Sequence, residues 1–134
     1  MKSLFPSEMM DGAEMSIEMV AAKLTYFHEQ LHLLHWQTTS YAQHQALGGL
    51  YDYVHDFKDG VIEKLMGYAN RRVKAYKIVS PSDGANATAI VNELLSFSSS
   101  LKSWAESNSY HDISNLADAL SGEVAKTRYL LTLS

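Results

Sequence analysis

The sequence has no cysteine and only two prolines among 134 residues. The absence of cysteine excludes disulfides and thiolate metal sites, so any metal site must use imidazole and carboxylate groups. Such ligands suit iron, zinc or manganese rather than metals that prefer sulfur. The lack of cysteine also agrees with a reducing compartment.

Positive charge and long apolar runs are lacking as well. The formal net charge is −4, and because nucleic-acid binding needs a basic surface, we expect DNA binding to be weak. No window approaches the roughly 18 to 20 apolar residues of a membrane-spanning helix. Residues 1–10 also lack the apolar core of a signal peptide. The sequence therefore predicts a cytoplasmic protein with no membrane partner.

Apolar residues recur every three or four positions in four segments, and no segment shows the alternation of a β-strand. A chain of 134 residues suits one domain. We predict an all-α, ferritin-like four-helix bundle at residues 13–134, preceded by a flexible arm at residues 1–12. Pro81 and Gly84 mark residues 78–86 as a linker, and the sequence leaves open whether this linker crosses the bundle.

Capping patterns and breaks locate the ends of the first two helices. An Asp-x-x-Glu pattern at residues 11–14 resembles a capping box, so the first helix should begin near Gly12 and end at residues 37–40. A Ser-x-x-Gln pattern at residues 40–43 begins the second helix, whose periodicity continues to about Tyr76. Cationic side chains cluster at its predicted end, where we expect them to compensate the helix dipole. A phosphate-binding patch is the alternative. The cluster consists of Lys64, Arg71, Arg72, Lys74 and Lys77.

Five of the six histidines lie between residues 28 and 63. At 100° per residue, those of the first helix fall within about 60° of one another, at the edge of its apolar face. Metal-binding side chains of the second helix fall within about 120°, beside its own apolar face. The two strips consist of His28, His32 and His35 on the first helix, and His44, Asp52, His55, Asp56, Asp59 and Glu63 on the second.

The histidine pair and the carboxylate pair nearest the ends of these strips cannot meet within one chain. An antiparallel hairpin places His35 and His44 at the same level, and Asp59 and Glu63 are one turn apart. His44 and Asp59 are 15 positions apart, which is about 22 Å along a helix, and metal–ligand bonds of about 2 Å cannot span that distance. A two-fold axis crossing the second helix near Asp52 would bring the histidine pair of one chain to the carboxylate pair of another.

A family resemblance covers about residues 20–77. The run His32-Leu33-Leu34-His35-Trp36, followed by His44, Tyr51, Asp59 and Glu63, resembles the Dps-like mini-ferritins of the ferritin-like superfamily. That family has a His-x-x-His-Trp segment late in its first long helix. A histidine opens its second helix, with an aspartate and then a glutamate at the spacings found here.

The resemblance implies binding and oxidation of ferrous iron at a site between two subunits. By resemblance, His35 and His44 are the imidazole ligands, and Asp59 and Glu63 are the carboxylate ligands. Secondary candidates are His32, Asp52 and His55. The metal is iron, with zinc or manganese as alternatives, and the partner is a second copy bound through the first and second helices. The resemblance also implies that dimers assemble into a dodecamer.

Three features depart from the family pattern. The turn between Trp36 and His44 is about three residues shorter than in the family. Gly48 stands where the family has an acidic residue one turn after the second histidine, which removes one ligand. The lysine-rich tail that many members use on DNA is absent. The loss of the acid favours an alternative, in which the bundle is a non-catalytic structural or interaction module.

Two further metal sites are alternatives to the shared one. Residues 28–32 read His-Glu-Gln-Leu-His, which is the His-Glu-x-x-His pattern of zinc hydrolases, with Glu29 activating water. The other alternative is a di-iron site within one chain. It would use carboxylate–histidine pairs at i, i+3, with further carboxylates from the last two helices. Its candidate ligands are Glu29, His32, Asp52, His55, Glu93 and Glu123.

Overall fold

The structure is a computed structural model that describes residues 15–133. Within this range it contains four α-helices and no β-strand. The helices are α1 (Ile17–Gln37), α2 (Tyr41–Ala69), α3 (Ala87–Ser107) and α4 (His111–Leu131). The prediction of an all-α four-helix bundle is confirmed. No helix among the described residues is long and apolar enough to cross a membrane, and the predicted arm at residues 1–12 lies outside the described range.

Helix α1 begins at Ile17, later than the predicted start near Gly12. Ser16 has an extended backbone, and its hydroxyl oxygen accepts a hydrogen bond from the Met19 amide, so Ser16 is the N-cap. The capping pattern predicted at residues 11–14 lies outside the described residues. At the start of α2 the predicted cap is confirmed, because the Ser40 hydroxyl accepts from the Gln43 amide.

Helix α2 ends at Ala69, so its predicted extension to Tyr76 is wrong. Asn70 adopts a left-handed conformation with φ 52°, and its backbone N–H donates to the Met66 carbonyl. This is a common way for a helix to end, and asparagine tolerates it better than most residues. The cationic residues from Arg71 onward therefore lie beyond the helix, in the connection to α3.

The connection between α2 and α3, residues 70–86, runs along α1. Near its start, both terminal nitrogens of the Arg71 guanidinium donate to the Glu18 carboxylate, at 2.8 and 2.9 Å. Near its end, the buried Gln30 side chain donates to the Ser82 carbonyl and accepts from the Ser82 amide. The connection is thus fixed to α1 at positions separated by three turns of helix.

This crossover sets the direction of the last two helices. Gln37, the last residue of α1, donates to the Asp83 carboxylate, so α3 begins beside the end of α1. Helix α3 therefore runs parallel to α2, and α4 returns antiparallel to α3. One long crossover distinguishes this bundle from the up-down-up-down arrangement with three short loops. It also answers the question that the sequence left open for residues 78–86.

Apolar stripes from all four helices form one core. Helix α1 packs mainly on α2, α3 packs mainly on α4, and α2 also packs on α4. The largest fully buried side chains are Leu24, Tyr26, Phe27, Leu31, Leu47, Leu50, Leu65, Ile90, Leu94, Leu101, Ile113 and Leu120. Burial of each leucine or isoleucine contributes about 1.5 to 3 kcal/mol. This packing fixes α1 against α2 and leaves the histidines at the edge of their contact.

Candidate metal centre

The short turn between α1 and α2 brings the His35 and His44 rings face to face. Their centroids are 3.7 Å apart and their planes differ by 17°. The Nδ1 atom of His35 lies 2.6 Å from the His44 carbonyl oxygen, and the Nδ1 atom of His44 lies 2.9 Å from the His35 carbonyl oxygen. Because a carbonyl oxygen only accepts, each Nδ1 carries the proton and each Nε2 keeps its lone pair. The prediction that His35 and His44 lie at the same level is confirmed.

The stacking restricts how the two imidazoles can hold metal ions. An ion bound by an imidazole lies in the plane of that ring, about 2.1 Å from the nitrogen. Nearly parallel rings with centroids 3.7 Å apart share no such position. As it stands, the stacked pair therefore does not hold one ion between both rings. One ion bound by both rings would require one ring to rotate.

Gly48 provides the room that His35 occupies. A Cβ atom at position 48 would lie 2.9 Å from Cε1 of His35 and 3.1 Å from its Nδ1. Real Cβ atoms essentially never approach another atom as closely as the first of these distances. Sequence analysis noted Gly48 only as a missing ligand. Gly48 and His35 lie on different helices, and the sequence alone does not predict their contact.

The carboxylates of the predicted site lie farther along α2. Asp59 and Glu63 are exposed and one turn apart, on the face that also carries Asp52 and Asp56. Within residues 15–133, neither Asp59 nor Glu63 forms an ion pair. This face of α2 therefore presents uncompensated negative charge to solvent.

The structure brings His35 to His44 but does not bring Asp59 and Glu63 to them. Helix α2 is continuous from residue 41 to residue 69. The histidine pair (His35 and His44) and the carboxylate pair (Asp59 and Glu63), here called the two half-sites, therefore remain about 22 Å apart along it. Among the described residues, no three histidine, aspartate or glutamate side chains of the chain are arranged to hold a metal ion. A complete site from these four ligands thus needs a second chain.

His32 is held between two aromatic side chains. Its ring centroid lies 3.7 Å from that of Trp36 and 4.3 Å from that of Tyr51. Burial lowers the pKa of His32 below its ordinary value of 6.5, and the nearby His28 lowers it further. This packing was not predicted from the sequence, although the i, i+4 spacing of His32 and Trp36 indicates that the two rings are neighbours on the helix surface.

Neither single-chain alternative is assembled in the described residues. Glu29, the water-activating residue of the hydrolase hypothesis, accepts a hydrogen bond from Nδ1 of His28 at 2.9 Å. His55 pairs with its neighbour Asp56, although the intra-chain hypothesis pairs it with Asp52.

The further carboxylates of that hypothesis, Glu93 and Glu123, raise the pKa of one buried and one half-buried tyrosine. Burial, with the charge of Glu93, raises the pKa of Tyr26 to about 12. Burial and Glu123 likewise raise the pKa of Tyr53. These two glutamates therefore lie close enough to Tyr26 and Tyr53 to disfavour their ionisation.

Comparison with known proteins gives one family. No curated protein and no solved structure matches the chain. The model of a family of unknown function, DUF5856, matches residues 35–131, a span that contains both half-sites. Because this match covers more than half of the chain, the protein belongs to the family DUF5856.

Proposed function

We propose that this protein is a ferritin-like, iron-binding protein that oxidises ferrous iron at a site shared by two chains. His35 and His44 of one chain and Asp59 and Glu63 of the other would be its ligands. The observation that carries the proposal is the His35–His44 pair, whose Nε2 lone pairs remain available because both Nδ1–H groups donate to carbonyls. Imidazole with carboxylate suits iron, with zinc and manganese as the alternative metals.

The topology supports the same proposal. Ferritin-like bundles have one long crossover connection, and residues 70–86 form such a connection here. The histidines occupy one end of α2 and the carboxylates lie farther along it, so an antiparallel α2 helix from a second chain would supply the missing half-site. Two-fold symmetry about Asp52 would then generate two equivalent sites.

The surface of the two helices is compatible with a second copy. A Cβ added at Gly49 would meet nothing within 4 Å, so α2 is open to close approach there. Trp36 and Tyr41 are 66% and 67% exposed, and exposed aromatic side chains often anchor interfaces. The acidic strip of one α2 would face the histidine end of the other. Assembly of dimers into a dodecamer and a cytoplasmic location remain parts of the proposal.

In the proposed reaction, ferrous iron is the substrate and hydrogen peroxide or dioxygen is the oxidant. The chain supplies ligands and charge, and no covalent intermediate with the protein is needed. The Nδ1–H···O=C hydrogen bonds fix the tautomer of both imidazoles before iron arrives, and one ring would turn for both to bind the same ion. Asp59 and Glu63 contribute the negative charge that stabilises ferric iron more than ferrous iron.

A direct test is anaerobic titration of the metal-free protein with ferrous iron, followed by oxidant and elemental analysis. We expect saturable binding, then rapid formation of ferric iron, both lost in His35→Ala and in Asp59→Ala. Light scattering on the same samples should give a dimer or a larger species. A species of about 15 kDa with and without metal, or iron binding that neither variant changes, would refute the proposal.

Gly48 favours one alternative function. Because the His35 ring fills the space beside it, the acidic ligand expected from the mini-ferritin pattern is absent and has no room. A bundle that assembles but does not oxidise iron, acting as a structural module, is therefore the second candidate. Dimers that bind no iron in the titration would identify it.

A further inference from the structure

A second pair of imidazoles lies apart from His35 and His44. His28 on α1 faces His55 on α2 across the contact between the two helices, with ring centroids 5.4 Å apart. For two histidines on one tetrahedral zinc ion, with Zn–N bonds of about 2.1 Å, the ring centroids lie about 5.3 Å apart. The observed separation therefore fits two imidazoles that bind one ion.

Neighbouring carboxylates set the tautomer of both rings. The Nδ1 atom of His28 lies 2.9 Å from the Glu29 carboxylate, and that of His55 lies 3.2 Å from the Asp56 carboxylate. An ionised carboxylate only accepts hydrogen bonds, so both Nδ1 atoms carry the proton and both Nε2 atoms keep a lone pair. Metal-binding histidines commonly have such a carboxylate partner, which orients the ring and raises its basicity.

The geometry points to a metal site within one chain, at which Nε2 of His28 and Nε2 of His55 bind a divalent ion such as Zn²⁺. The His28 side chain is 16% exposed and that of His55 is 66% exposed, so the ion enters from solvent and water completes its shell. Two protein ligands are fewer than the three of catalytic zinc sites. The ion is therefore exchangeable rather than a permanent part of the fold.

His32 is not a ligand of this site. Its centroid lies 5.8 Å from that of His28, but its ring is packed between Trp36 and Tyr51. Turning it toward an ion beside His28 would break both contacts. The site needs neither Asp59 nor a second chain, so its ligands differ from those of the proposed iron site.

Calorimetric titration with Zn²⁺ tests the site. The protein used carries Asp59→Ala and Glu63→Ala, which remove the carboxylate ligands of the proposed shared site. Both residues are exposed, so the core is unchanged. We expect one equivalent of Zn²⁺ per chain that disappears when His28→Ala or His55→Ala is added. The same equivalent should remain with His35→Ala and with His111→Ala, the control histidine on α4. Glu29→Ala or Asp56→Ala should weaken it roughly 10- to 100-fold. Circular dichroism establishes that each variant is folded.

Three results would overturn the inference. The first is no zinc binding in the protein that carries only Asp59→Ala and Glu63→Ala. The second is binding that survives both His28→Ala and His55→Ala. The third is binding lost with His32→Ala and kept with His55→Ala, which would place the ion on α1 alone. None of these results depends on whether the protein oxidises iron.

Discussion

The imidazole of His35 occupies the space that a side chain at Gly48 would need, since a Cβ there would lie 2.9 Å from Cε1. His35 lies on α1 and Gly48 on α2, so the glycine leaves room for the ring where the two helices pack together. Replacing Gly48 with glutamate would thus displace the His35 ring.

Alanine at Gly48 should displace His35, whereas alanine at Gly49 should not. A Cβ at Gly49 meets nothing within 4 Å, so Gly49→Ala should stabilise the bundle by about 0.5 to 1 kcal/mol through helix propensity. Gly48→Ala should gain the same helix propensity but lose about 1 to 3 kcal/mol of stability to overpacking, because a hydrogen bond holds the His35 ring in place. Urea unfolding measures the difference, and equal stability of the two variants would contradict the contact.

The Glu18–Arg71 pair should make stability depend on pH in the acid range. Hydrogen bonds from the Arg71 side chain and from the Lys74 amide lower the pKa of Glu18 from 4.5 to about 2. A lowered pKa means that the pair stabilises the fold above pH 4.5 and loses this contribution as pH falls toward 2. Glu18→Gln should cost about 1 to 3 kcal/mol at pH 7 and much less near pH 2.

Asp118→Asn is the matched control, since it removes an exposed ion pair with Lys102 between α3 and α4. Such pairs contribute about 0 to 1 kcal/mol. If Glu18→Gln cost no more than this control at pH 7, the connection would not be fixed to α1 by Glu18.

His32 should titrate below its ordinary pKa of 6.5, because burial disfavours its protonated form. A histidine with a lowered pKa contributes its full stabilisation above the unfolded value, and this is lost as pH falls below 6.5. His32→Phe should keep the packing between Trp36 and Tyr51 and remove that loss. NMR titration of the ring protons gives the pKa directly, and a value at or above 6.5 would contradict the packing argument.

Affinity for duplex DNA should be weak at physiological salt. The net charge is −4, and two cations of the predicted basic cluster already pair with carboxylates, Arg71 with Glu18 and Lys64 with Asp112. Phosphate contacts supply most non-specific affinity. Fluorescence anisotropy on random duplex at about 150 mM salt should give a dissociation constant no tighter than the usual non-specific range of about 10⁻⁴ to 10⁻⁶ M. A sub-micromolar value would contradict this prediction.

Much of the fold followed from local patterns. The 3.6-residue periodicity identified four helices, and the Ser40 cap located the start of α2 to within a residue. The short connection between α1 and α2 was enough to place His35 beside His44. These features depend on residues close in sequence, where propensity and capping are reliable guides.

Contacts between distant residues could not be predicted in this way. The predicted end of α2 lies seven residues too late, because apolar periodicity continues past Asn70. The backbone after Asn70 is instead fixed by the contact of Arg71 with Glu18, which is 53 positions away. Gln30 and Ser82 direct the crossover from a separation of 52 positions. The contact of Gly48 with His35 likewise depends on how two helices pack, which periodicity does not specify.

The central claim, that one chain supplies the histidines and another the carboxylates, is tested most directly by mixing variants. His35→Ala and Asp59→Ala are each expected to abolish iron binding, because each destroys both sites of a dimer. After co-expression or joint refolding, half of randomly formed dimers would be mixed, each with one intact site. About a quarter of the wild-type iron binding should then return. If mixed dimers form, as mass spectrometry can establish, and iron binding stays at the level of either variant alone, the shared site is wrong.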